Sequence, residues 1–161
     1  MPVTVNLRLL EKEETLSLEG ELPVAEFGAD LRDDLMRFDQ PLHYALDLQH
    51  QPDSLLLTGS LETSLACECA RCLTPFRLPV RVEALTALVA LQGEEAVGRD
   101  GDFADLTPLL REDIYLALPT NPLCRPDCRG LPQKAVSRDS RLEGAQSDEA
   151  SPWAALDHIK L

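Results

Sequence analysis

The chain has 161 residues and a mass of 17.8 kDa, enough for one hydrophobic core and too little for two comfortable domains. A net charge of −13 and a pI near 4.5 exclude a general coat for polyanions, because binding of that kind rewards clustered Lys and Arg. Aromatic residues make up only 4% of the chain, so the core must be built from Leu, Val and Ala. There is no secretory leader pattern and no apolar run of membrane-spanning length, so a soluble cytoplasmic protein without a membrane partner is expected.

In chain order, Val3, Val5 and Leu7 alternate with polar neighbours, as do Leu16, Leu18, Gly20 and Leu22. This predicts an opening pair of strands around an acidic turn at Glu11–Glu14. Ala25–Arg37 reads as a loop or one or two helical turns. Leu42, Tyr44, Leu46 and Leu48 mark a strand, and Gln51-Pro-Asp-Ser54 turns it into the next. From Leu55 the apolar residues Leu55, Leu57, Leu61, Leu65, Cys67 and Cys69 all occupy odd positions, which a strand presents on one face. Cys69-Ala-Arg-Cys72 then reverses the chain, and Phe76, Leu78, Val80, Val82 and Ala84 restore alternation. Pro79 confines this strand to an edge or a bulge. Alternation decays from Leu85, and 93–101 reads as a polar acidic loop. Leu106, Leu110, Ile114 and Leu118 recur every fourth residue, Asp105 or Thr107 can cap, and Pro119 stops the element, so an amphipathic helix is expected over Pro108–Leu118. The polar stretch 133–150 reads as a flexible linker, and Trp153, Leu156 and Ile159 place an apolar stripe on a short helix over 151–161. The expected architecture is α+β: an antiparallel β-sheet or partly open barrel in a single domain over 1–132, with one packed helix, the linker and the short C-terminal helix.

Catalytic patterns are missing. His43, His50 and His158 show no metal-ligand spacing, and no nucleophile elbow, phosphate loop or dinucleotide fingerprint occurs, so neither an enzyme nor a small-molecule substrate is expected. The chemistry concentrates in Cys69-Ala-Arg-Cys72 and Cys124-Arg-Pro-Asp-Cys128. Two such turns about fifty residues apart can present four sulfurs to one tetrahedral ion, with structural zinc the leading candidate. A redox dithiol and plain buried thiols are the alternatives. The redox reading is weakened because the first pair joins two apparent strands rather than opening a helix. Cys67 shares the apolar register and reads as a small core residue. Arg71 and Arg77 beside the first pair, and Arg125 and Arg129 beside the second, make the corner locally basic within an acidic chain. The plainer reading is that they are solvated, or pair with nearby carboxylates.

Three segments carry a resemblance to a known family. Cys69-Ala-Arg-Cys72-Leu-Thr-Pro-Phe76 is similar to a C-x-R-C-L-x-P-F turn, Asp105–Pro119 to a helix ending in L-A-L-P, and Ser151-Pro-Trp-Ala-Ala-Leu156 to a characteristic tail. The chain resembles the YceD-like family, the large ribosomal RNA subunit accumulation proteins. The resemblance implies a non-enzymatic accessory role in large-subunit biogenesis that supports 23S ribosomal RNA accumulation. The implied partner is ribosomal RNA or a large-subunit ribosomal protein, with Arg71, Arg77, Arg125 and Arg129 as its contacts. The alternative is an acidic module that chaperones a basic ribosomal protein, or a thiol-disulfide redox protein. Many relatives continue after the second pair with G-L-C-P-x-C-G. Here Gly130-Leu131 is followed by Pro132-Gln-Lys134, leaving Cys69, Cys72, Cys124 and Cys128 as a minimal four-sulfur set.

Overall fold

Strict alternation of apolar and polar side chains builds most of what the computed structural model shows; it describes residues 2–94 and 96–131. The elements run β1 (Thr4–Asn6), α1 (Leu7–Glu13), β2 (Thr15–Leu22), α2 (Val24–Phe27), β3 (Met36–Phe38), β4 (Leu42–His50), β5 (Ser54–Glu68), β6 (Pro75–Ala90), β7 (Arg99–Asp100), β8 (Phe103–Asp105) and α3 (Thr107–Leu116). The linker and helix expected over 133–150 and 151–161 lie outside the described residues.

The main sheet is antiparallel and curls into a half-barrel around β5. β4 covers residues 55–62 of β5 and β3 covers 65–67 of the same edge, while β6 pairs along the opposite edge from Ser54 to Glu68. β2 extends the sheet beyond β4. A smaller sheet joins β1, β8 and β7. The architecture is α+β, as expected. Leu55, Leu57, Leu61, Leu65 and Cys67 are all buried in the core with Leu42, Leu46 and Leu48 of β4. Burying each such leucine contributes about 1.5–3 kcal/mol relative to exposure. Phe27 and Phe38 meet edge to face with ring centroids 4.8 Å apart beneath α3, whose Leu106, Leu110 and Ile114 are buried on the same core.

Three expectations are corrected. The first two predicted strands do not pair with each other: β1 pairs with β8, and the acidic turn is the helix α1. Local capping accounts for this, since Asn6 Oδ1 accepts the Leu9 N–H at 3.1 Å and starts a helix at Leu7. Ala84 is exposed, not part of the inward row. Between Gly59 and Leu61 the register with β6 slips, so that Glu83 and Ala84 together oppose Ser60; the extra residue flips the phase, and Leu85 takes the buried position. Alternation therefore continues to Ala90 rather than decaying at Leu85. Finally, the stretch 93–101 is not all loop, because β7 begins at Arg99 and pairs with β8. Thr107, expected as a cap, is instead the first residue of α3, and its Oγ1 accepts the Val3 N–H at 2.8 Å and clamps the N-terminal strand to α3.

Candidate metal centre

Cys69 is the last inward residue of the β5 register and is fully buried. Its N–H donates to the Thr74 carbonyl at 3.0 Å and its carbonyl accepts the Leu73 N–H at 2.9 Å, closing a tight turn that aims the Cys72 sulfur back toward Cys69. Leu73 takes φ 59°, a left-handed value that side chains other than glycine adopt rarely. The second turn follows α3. The Ala70 N–H donates to the Pro122 carbonyl at 2.8 Å, and the Cys128 N–H to the Arg125 carbonyl at 3.1 Å. Arg71 Nη1 donates to the Cys128 carbonyl at 3.0 Å. Gly130, at φ 83°, lets the chain leave beside the Arg71 carbonyl.

Together these bonds bring the four thiols to one point. The Cys69 and Cys128 sulfurs lie 3.7 Å apart, as do those of Cys72 and Cys124. All four sulfur atoms fall within 4.8 Å of one another, and they are the group among the described residues able to hold a metal ion. Zinc–sulfur bonds of about 2.3 Å at tetrahedral angles place sulfurs about 3.8 Å apart. Disulfides need about 2.05 Å, and all five cysteines are free. Donor chemistry and spacing therefore both fit a metal ion. Cys67, also buried, is the fifth cysteine and not part of this group; it lies in the core opposite Met36 and Phe76. Burial, reinforced by Asp33 and Asp39, pushes its thiol pKa upward.

Electrostatics separates three of the four thiols. The backbone N–H of Cys124 leads the donors that lower the Cys69 thiol to about 6, with the N–H groups of Arg71 and Cys72 assisting against burial. Cys72 is lowered chiefly by the Thr74 hydroxyl, whose oxygen lies 3.2 Å from its sulfur. Cys124 goes the other way, pushed up to about 12 by burial and by the neighbouring thiols. Thiols lowered at Cys69 and Cys72 beside the raised Cys124 suit a cation at the centre, since metal ions deprotonate the thiols that bind them.

The four expected contact arginines have different surroundings. Arg71 is tied to Cys128, and Arg77 pairs with Asp39 at 2.8 Å. Arg125 lies 3.8 Å from Asp127, and Arg129 is exposed. Beside this corner, Asp33, Asp34, Asp39, Glu68, Arg37 and Arg77 line a cavity of about 630 Å³. Sequence reading missed this cavity because the loop before β3 meets the start of β6 only in the folded chain. It also missed Thr74 and Pro122. The C-L-T-P motif holds the first in plain view, but nothing local marks the second.

The family described as "Large ribosomal RNA subunit accumulation protein YceD" matches residues 57–160, which include both cysteine turns and α3. An uncharacterized protein of Mycobacterium tuberculosis (strain ATCC 25618 / H37Rv) is 38% identical over 136 residues, covering 76% of this chain and 65% of its own. An uncharacterized protein of Mycobacterium leprae (strain TN) is 28% identical over 144 residues, covering 84% and 61%. This chain thus spans somewhat less than two thirds of the length of these relatives. No solved structure matches it. With most of its length matched, and with the cysteine turns and helix inside that match, the chain belongs to the YceD family of large ribosomal RNA subunit accumulation proteins.

Proposed function

We propose that this chain is a cytoplasmic, non-enzymatic accessory factor in large ribosomal subunit assembly that supports 23S ribosomal RNA accumulation, with zinc holding its cysteine corner. The observation that carries this reading is the convergence of four thiols at metal-ligand spacing within the segment matched by the family. Zinc suits the site because four thiolates are a closed structural ligand set with no open coordination position. Bound there, zinc would supply folding free energy, not chemistry. Cys69, Cys72, Cys124 and Cys128 would hold it, while Arg71 and Thr74 orient the two turns.

The test combines metal analysis with RNA measurement. Wild-type protein is expected to carry about one zinc per chain and Cys69→Ser to carry none, because a structural site needs all its ligands. Cells lacking the protein should show less 23S relative to 16S ribosomal RNA, restored by the wild type and not by Cys69→Ser. Metal-free wild-type protein would remove the zinc reading. An unchanged ribosomal RNA ratio in the deletion would remove the assembly reading.

Charge favours a ribosomal protein over RNA as the direct contact. Residues 1–131 carry 23 acidic side chains against 11 basic ones, and Arg71 and Arg77 have intramolecular partners. A surface of that sign attracts a basic protein and repels phosphate. Crosslinking from the cysteine corner separates the two, since trapped ribosomal RNA would reverse the preference.

A further inference from the structure

The face of α3 opposite the core carries a second feature. The inward stripe of the helix is complete, with Leu106, Leu110 and Ile114 fully buried, yet Leu116 is 77% exposed, more than any other large apolar residue described. Leu116, Tyr115, Pro2 and Pro108 are among the residues lining a groove of about 590 Å³. An exposed leucine alone is ordinary; one that continues an apolar floor lined by prolines and a tyrosine ring is a surface able to take an anchor side chain. The rim is acidic. Glu112 and Asp105, the latter also accepting the Thr107 N–H at 2.9 Å, contribute carboxylates, while the guanidinium of Arg111 is ion-paired with Asp30.

We infer that this groove docks a basic peptide segment carrying one apolar anchor, with the anchor seated against Leu116, Pro108 and Tyr115 and flanking Lys or Arg side chains on the Asp105 and Glu112 rim. Charge complementarity selects this occupant: an apolar slot ringed by carboxylates disfavours nucleic acid and acidic peptides, and attracts cations while burying an aliphatic or aromatic group. The inference names a partner chemistry for the assembly role proposed above and rests on that reading only for its biological setting. The docking itself is a property of the groove.

The test uses the full-length protein and a fluorescently labelled synthetic peptide of about twelve residues, in which one Phe is flanked by Lys and Arg, the length matching a groove of this class. Binding is read by anisotropy against the same peptide with Phe→Ala, and against a single-stranded RNA oligonucleotide. The Phe peptide should bind, and both Leu116→Ser and Glu112→Lys should weaken it about tenfold, as truncation of an anchor or reversal of a rim charge does. Circular dichroism and urea midpoints confirm that the exposed-site variants are folded. Equal binding of the Phe and Ala peptides would overturn the inference, because it would show general attraction to an acidic protein. Unchanged binding by folded Leu116→Ser would overturn it too, as would RNA binding that is lost with Leu116. None of these results depends on zinc content or on the 23S ratio in cells, so the groove can fail while the assembly role stands, and the reverse.

Discussion

The guanidinium of Arg71 reaches across from one cysteine turn to the Cys128 carbonyl of the other, and this bond gives the side chain a duty inside the molecule. With zinc bound as proposed, Arg71→Ala should therefore speed its transfer to a competing chelator. A charge-assisted bond in a partly exposed setting is worth about 1 kcal/mol, or roughly a fivefold change. Chelator competition followed by absorbance measures it. Unchanged release combined with weaker RNA recovery would return Arg71 to the role of phosphate contact. At this scale the clustering of the four cysteines was legible, because C-x2-C and C-x3-C spacings are local signals that a turn converts directly into facing sulfurs. Cys67 was legible as a core residue for the same kind of reason, through its odd-numbered register. The supports were not. Pro122 matters through a carbonyl that any residue possesses, and the left-handed Leu73 lies where a sequence reader would look for glycine.

Among the elements, β5 organises everything else: three strands pair with it, and its inward row ends at the first cysteine of the candidate metal centre. Its continuity depends on Gly59. A Cβ there would stand 2.1 Å from the Ala45 carbonyl oxygen and 2.9 Å from the Leu46 Cα, both backbone atoms of β4, so no side-chain rotation can relieve the clash. Gly59→Ala is expected to destabilise the fold by about 3 kcal/mol or more, since β4 must move away from β5. Urea denaturation monitored by circular dichroism checks this, and a loss below about 1 kcal/mol, typical of an average substitution, would show that the sheet yields easily at the bulge. Periodicity made β4, β5 and α3 legible because each holds one period over its length. It misled where a period was broken by something outside the pattern. The extra residue in β6 reversed the inward face, and the cap at Asn6 ended the opening strand and started a helix at Leu7. The pairing of β1 with β8, about a hundred residues apart, had no local signal at all.

Across the described body, the dominant physical fact is a charge surplus that any partner must share and that the fold itself must bear. Close packing of carboxylates raises the free energy of the compact state, and α3 shows this in one place. Asp113 is partly buried beside Glu112, and burial, followed by the Glu112 charge, raises its pKa above the ordinary 3.8. The folded state thus binds the Asp113 proton more tightly than the unfolded chain does. As pH rises through the folded value, the ionised group becomes a liability in the fold, and stability falls relative to a neutral isostere. Asp113→Asn should accordingly be more stable than wild type at pH 7, by a few tenths of a kcal/mol once solvent screening is allowed for. The advantage should narrow as pH falls through the folded value toward 3.8, where both states protonate. Paired urea titrations of the two proteins at pH 7 and near pH 4 make the comparison. A variant less stable than wild type at pH 7 would mean that Asp113 has a favourable partner strong enough to outweigh its burial and its acidic neighbour, and the charge surplus would then be compensated along α3 rather than left for a basic partner to neutralise.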